Sequence, residues 1–187
     1  MLLSAEERAR AASFHDYRDR NRFIAARGHL REVLGGMLGI PPAEVEFTYN
    51  PYGKPETAGV QFNVSHSEWM ALMAISRSRV VGVDIERKNR AFVDDRIPER
   101  FFSPAEVQAL RALAEGQQTE AFFNCWTRKE AYVKARGLGL SLALDSFDVS
   151  LAPGEPARFL RGAEGWEIET VSAPEGFAAA VVGSGGE

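Results

Sequence analysis

The run from Tyr17 to Leu38 constrains the fold first. Phe23, Ile24, Leu30, Val33, Leu34, Met37 and Leu38 recur along it at near-helical spacing, and Gly39 followed by Pro41-Pro42 supplies the stop. A long helix is predicted, with Arg18, Arg20, Arg22, Arg27 and Arg31 on its polar side. Short β-type runs then follow closely at 45–49, 60–64, 70–76 and 80–86. Asn50-Pro51-Tyr52-Gly53-Lys54-Pro55 has turn chemistry throughout and presents Lys54. The second half repeats this order loosely. Ser103-Pro104-Ala105-Glu106 opens a helix with a capping box, 119–135 forms another, and strand-like runs lie at 146–150, 158–160, 166–171 and 177–182. The prediction is an α+β protein of two similar halves, residues 1–88 and 89–187, joined near Arg87 to Asp95 and ending in a frayed tail over 183–187.

Composition narrows the chemistry. The 187 residues are 45% hydrophobic and 26% charged, the balance of a globular chain. A formal charge of -4 leaves polyanion binding to a local basic cluster, so no nucleic-acid partner is expected. Cys125 is the single cysteine, and with three histidines it gives no Cys/His zinc framework, which leaves oxygen ligands for any metal. Charge at Glu6, Glu7 and Arg8 interrupts any early apolar leader, and the late apolar run at 177–182 is far short of a membrane span. A cytoplasmic chain with no membrane partner is expected.

Three segments can carry chemistry. In Val80-Val81-Gly82-Val83-Asp84-Ile85-Glu86, strand alternation sends Val81, Val83 and Ile85 to one face and Gly82, Asp84 and Glu86 to the other. Two carboxylates side by side need a cation, a shared proton or open water. A hard divalent ion such as Mg2+ would satisfy them, and a solvated strand end is the plainer alternative. In the helix containing Trp126 to Lys134, Glu130 stands one turn after Trp126 at the edge of the buried stripe Phe122, Trp126 and Val133, with Lys134 one turn further. Glu130 either faces a cleft or makes an ordinary Glu-to-Lys pair on a solvated face. Asn63-Val64-Ser65-His66-Ser67 places hydroxyls on both sides of a histidine at a strand end. With Lys54 and the helix arginines, these are the donors that phosphate oxygens require, although a helix arginine series is as often a solvated face. Whether Glu106 reaches a cation beyond its capping role is open.

Taken in order, Gly53-Lys54-Pro55, Phe62-Asn63-Val64-Ser65-His66-Ser67, Val81-Gly82-Val83-Asp84-Ile85-Glu86, Phe101-Phe102-Ser103-Pro104-Ala105-Glu106 and the Trp126 to Ala135 segment resemble the 4'-phosphopantetheinyl transferase superfamily, in its long, pseudodimeric surfactin-synthetase-activating class. The resemblance implies a pseudo-twofold fold with its active site in the cleft between the halves. It implies an enzyme that moves the phosphopantetheine arm of coenzyme A onto a serine of an acyl or peptidyl carrier protein, releasing adenosine 3',5'-bisphosphate. By the same resemblance Mg2+ would be held by Asp84, Glu86 and Glu130, with Glu130 also the general base and Lys134 at the leaving phosphate. Coenzyme A would be held by Arg22, Lys54, Pro55, Ser65, His66 and Lys134, and Lys129 would have a positioning role. Relatives of this class carry a longer N-terminal segment, which implies that this chain either begins late or has lost the segment that edges the first half. A monomer is expected, since two halves in one chain complete a cleft. Two other readings stand beside this one: a Mg2+-dependent hydrolase of a nucleotide or coenzyme A diphosphate, and a non-catalytic module binding coenzyme A or a carrier protein.

Overall fold

The computed structural model describes residues 2–94 and 96–186. Asp95, within the expected junction, lies outside the described residues, as does Glu187 of the expected tail. The chain forms two compact units, one of Met1–Tyr49 with Pro55–Val60 and one of Asn50–Lys54 with Gln61–Glu187.

In the first unit, α1 (Ala5–Ala12) starts at a capping box in which Ser4 and Glu7 satisfy each other's backbone N–H groups. This helix adds to the expected elements, and Ser4 with Glu7 is its sequence signal. Next, α2 (Tyr17–Leu38) has the predicted bounds, with Asp16 as N-cap and Gly39 in the left-handed region at φ 71° as the stop. The arginine face of α2 is not uniformly solvated. Arg31 is buried and donates from Nε to Glu7 Oε2 at 2.7 Å and from Nη1 to the Pro42 and Val45 carbonyls at 3.0 and 2.9 Å. Burial raises the Glu7 carboxyl, but the bonds from Arg31 and Ser4 and the charges of Arg31 and Arg27 outweigh it and hold Glu7 below its usual range. The strand expected over 45–49 shrinks to β1 (Thr48–Tyr49), because the Val45 carbonyl serves Arg31. It pairs antiparallel with β2 (Pro55–Glu56).

The second unit carries most of the apolar core. The hairpin β3 (Gln61–Ser67) and β4 (Met70–Ser76) pairs antiparallel from Gln61 opposite Ser76 to Ser67 opposite Met70. There follow β5 (Val81–Arg87), the short α3 (Ala91–Asp94) and α4 (Ile97–Phe101), then α5 (Pro104–Ala112), whose Ser103 cap and Glu106 form the predicted box. The 22-residue α6 (Glu115–Arg136) starts a turn earlier than expected and ends on Gly137 at φ 64°. The chain closes with β6 (Asp148–Val149), β7 (Phe159–Arg161), β8 (Trp166–Thr170) and β9 (Phe177–Ser184). A three-stranded antiparallel sheet has the order β5-β9-β8, so β5 is one of its edges.

Against this sheet lies α6. A Cβ on Gly82 would fall 2.1 Å from the Ala131 carbonyl oxygen and 2.3 Å from the Ala135 nitrogen, so glycine is what lets helix and strand backbones touch. Phe102, Phe122, Phe123, Tyr132, Phe147 and Val182 fill the core beside it, with Trp126 stacked on Phe122 at 5.9 Å between ring centroids. The mixed α and β architecture is as expected. The tail is more ordered than expected: Gly183 pairs with Val81 and with Glu167, and the Gly185 N–H donates to the Gly165 carbonyl at 2.6 Å.

Candidate active site

Alternation along β5 aims Gly82, Asp84 and Glu86 at the α6 side, as the sequence implies. Asp84 differs from expectation: it stands in mid-strand and is buried, not exposed at a strand end, while Ser65-His66-Ser67 forms the last three residues of β3. Edge-strand geometry accounts for the burial. The N–H groups of Val83, Ile85 and Arg87 point away from β9, and the side chains of Asn63, Ser65 and Ser67 meet them at 2.9, 3.3 and 3.0 Å. The hairpin therefore lies against β5 through side chains, and its hydroxyls come to rest beside the β5 carboxylates.

Ser65 donates to Asp84 Oδ1 at 2.8 Å and accepts from Lys134 Nζ at 2.9 Å as well as from Ile85 N–H. One donor and two lone pairs are then fully used. Lys134 Nζ also reaches Asp84 Oδ1 at 2.5 Å, which leaves one ammonium hydrogen without a protein partner among the described residues. Asp84 Oδ2 has none either: among the described residues it is the one buried side-chain oxygen or nitrogen lacking a hydrogen-bond partner. Native interiors rarely leave such an atom unpaired.

Glu86 accepts from Ser67 Oγ at 2.9 Å. Burial, then the charge of Asp84, push its carboxyl above the usual range against the opposing pull of Ser67, Lys134 and His66. Glu130 on α6 is raised as well, by burial first and then by Asp84 and Glu86, with Lys134 opposing. The three acidic groups thus share one electrostatic neighbourhood. Among the described residues, however, no three acidic, histidine or cysteine side chains are gathered into a ready-made metal cluster. The chemistry present is hard oxygen ligands that repel one another, one of them buried and unpaired, next to a lysine with a hydrogen to give.

Residues 80–182 match the model of the 4'-phosphopantetheinyl transferase superfamily. The chain belongs to that superfamily. It is 39% identical over 189 residues to the 4'-phosphopantetheinyl transferase HetI of Nostoc sp. (strain PCC 7120), covering 98% of this chain and 79% of HetI. To the 4'-phosphopantetheinyl transferase Sfp of Bacillus subtilis (strain 168) it is 33% identical over 153 residues, covering 80% of this chain and 67% of Sfp. A further Bacillus subtilis 4'-phosphopantetheinyl transferase is 37% identical over 152 residues, and the chain spans 66% of it.

In this superfamily member the other expected site residues take varied places. Lys54 turns its ammonium onto the carbonyls of Ala135 and Val81 at 3.1 and 3.4 Å, and Asn50 Nδ2 donates to the Gly137 carbonyl at 2.9 Å. The turn therefore caps the C-terminus of α6, where carbonyls lack helical partners. His66 is exposed on β3, Pro55 is half-buried in β2, and Arg22 is exposed on α2, 3.6 Å from Asp19. Glu106 pairs with the Lys129 ammonium at 2.8 Å, deep in the core. Ser67 and Asn63, which engage β5, were not singled out as site residues. Their signal was the polar-every-second-residue pattern of β3. No helix among the described residues is long and apolar enough to cross a membrane.

Proposed function

We propose that the chain transfers the 4'-phosphopantetheine group of coenzyme A to a serine hydroxyl of an acyl or peptidyl carrier protein, using Mg2+ held by Asp84 and Glu86 with Glu130. The observation that carries this reading is the buried, unpartnered Oδ2 of Asp84, in a group whose neighbours are a crowded pair of glutamates. Bound there, Mg2+ would neutralise charge on the diphosphate during attack. The serine oxygen attacks the phosphorus next to pantetheine, the bond to the nucleotide phosphate breaks, and Glu130 takes the serine proton. In the free protein burial, Asp84 and Glu86 hold the Glu130 carboxyl above its usual range, and a cation bound beside it would favour the ionised form that can accept the proton. Lys134 steadies or protonates the leaving phosphate with the ammonium hydrogen that no protein group uses.

Arg22, Lys54, Pro55 and His66 are assigned the nucleotide end of coenzyme A in this reading; Ser65, whose hydroxyl is used by Asp84, Lys134 and the Ile85 N–H, would reach it only by giving up one of these bonds. For Lys54, its place at the end of α6 favours a role in setting the site's shape beside any contact with phosphate. The division into similar halves, 1–88 and 89–187, with the cofactor cleft between them, belongs to the same proposal. The antiparallel pairing of β5 with β9 joins the last strands of the two expected halves in one sheet, within the second compact unit. A monomeric, cytoplasmic enzyme fits this arrangement.

Mass spectrometry of an apo carrier protein incubated with coenzyme A, Mg2+ and this chain tests the reading. A phosphopantetheine mass gain is expected, lost with EDTA and lost in Asp84→Asn. Adenosine bisphosphate released without a gain on the carrier would instead indicate hydrolysis.

A further inference from the structure

We propose that Ser67 is a positioning residue for Glu86, fixing which carboxylate oxygen that side chain presents; the inference rests on the metal-site reading above. The contacts of β3 on β5 repeat with a regular offset. Ser65 accepts from the N–H of Ile85 and donates to Asp84, and two residues on Ser67 accepts from the N–H of Arg87 and donates to Glu86. Each hydroxyl bonds the backbone of one β5 residue and the carboxylate of the residue before it. The backbone N–H can only donate, so it occupies a lone pair of the hydroxyl and leaves the O–H hydrogen to the carboxylate. The polarity of the Ser67–Glu86 bond is thereby set by the strand itself.

The third contact in the series shows why hydroxyls stand at the other two. Asn63 accepts from the N–H of Val83 through Oδ1 at 2.9 Å, and the preceding β5 residue there is Gly82, which has no side chain to orient. Where β5 carries a carboxylate, β3 carries serine; where it carries glycine, β3 carries an amide. Satisfying the open strand edge needs only an acceptor, so the hydroxyl adds a function of its own at residues 65 and 67. Lys134 shares the Ser65 hydroxyl, whereas at Ser67, among the described residues, the groups engaged are Glu86 and the Arg87 N–H. Glu86 Oε2 is thereby held, and Oε1 remains for another ligand.

Groups that orient a metal-binding side chain affect metal affinity by about 10–100-fold. Mn2+ titration followed by electron paramagnetic resonance, with coenzyme A present, reads this directly in the parent, Ser67→Ala, Ser67→Thr and Asp84→Asn. Ser67→Ala is expected to weaken Mn2+ binding by about 10-fold while the fold is kept, with a fall in Tm of no more than a few degrees. It should also raise the metal concentration for half-maximal transfer more than it lowers the maximal rate. Ser67→Thr, which keeps the hydroxyl and suits a strand, should recover most of the loss. Hydrogen exchange at the Arg87 amide should quicken in Ser67→Ala and not in Ser67→Thr. Unchanged Mn2+ affinity in Ser67→Ala, with binding lost in Asp84→Asn, would overturn the role of Ser67 and leave the metal site standing. Parent protein that binds no Mn2+, or Asp84→Asn that binds it as well as the parent, would overturn the metal site and the role of Ser67 with it.

Discussion

Helix α6 carries two lysine–carboxylate pairs five residues apart, and they have opposite character. At Lys129 and Glu106 the side chains are 0% and 2% exposed and 2.8 Å apart. The Lys129 ammonium spends its three hydrogens on Glu106 and on the carbonyls of Leu144 and Phe147, at 2.6 and 2.5 Å. Glu106 takes the Ser103 and Val149 N–H groups on its two oxygens, at 2.9 and 2.8 Å. At Lys134 and Asp84 the aspartate is equally buried, at 2%, but the lysine is 30% exposed. One aspartate oxygen receives both donors, the other receives none, and two further carboxylates crowd the neighbourhood. A pair with every valence used has no capacity left for a ligand. A pair with an idle oxygen and an idle hydrogen has capacity for both a cation and an anion. That contrast, and not burial or charge as such, separates structure from chemistry along this helix.

The largest expected effect lies at the closed pair. Lys129→Met leaves a buried carboxylate without its cation and two carbonyls without a donor, and breaking a buried pair in this way costs about 3–5 kcal/mol. Denaturant unfolding should show a loss on that scale. Adding Glu106→Gln should return only part of it, because Glu106 also closes the α5 capping box and holds β6. Full recovery in the double variant would mean that the pair is merely tolerated and that the contrast with Lys134 is weaker than the hydrogen bonds suggest.

At the open pair the expected effect is on rate. Glu130→Gln should slow transfer by about 10²–10⁴-fold, the range for loss of a general base, while coenzyme A binding is largely kept. Single-turnover measurements with saturating carrier and cofactor would show it. Near-parental turnover would remove Glu130 from proton transfer and leave it at most a ligand.

Much of this was legible in the sequence. The bounds of α2, the box that opens α5 and the shared face of Gly82, Asp84 and Glu86 follow from periodicity and capping, which are local and so are written locally. The neighbourhood of Glu130 was legible only through the ordered motifs, since helical spacing alone allowed a solvated Glu-to-Lys pair. What stayed hidden depends on partners distant in the chain. Arg31 reads as one more polar-face arginine until Glu7, 24 residues away, covers it. Lys54 reads only as a donor for phosphate, and its bond to the end of α6, 81 residues away, is not written locally. Asp84 reads as a strand-end group until β3 meets the edge of β5 with side chains in place of backbone, an arrangement that no strand propensity encodes.

The smallest expected effect is a gain. In the unfolded chain Glu86 and Glu130 titrate near 4.5, and in the folded protein both lie higher, from burial first and from neighbouring acidic charge second. Through the interval between the two values the folded state holds more protons than the unfolded one, so these groups lower stability as pH rises through it. Glu130→Gln removes one such group and lessens the load on the other. Its Tm should match the parent's below about pH 4.5, then exceed it progressively as pH rises, and stay above it at neutral pH. The difference is expected within the ~2–4 °C that about 1 kcal/mol moves a domain of this size. A variant that gains stability while losing transfer is what an oxygen-rich site awaiting a cation predicts. If Glu130→Gln melts at or below the parent temperature at every pH, its carboxylate is adequately paired in the free protein, and the distinction drawn between the two ends of α6 fails.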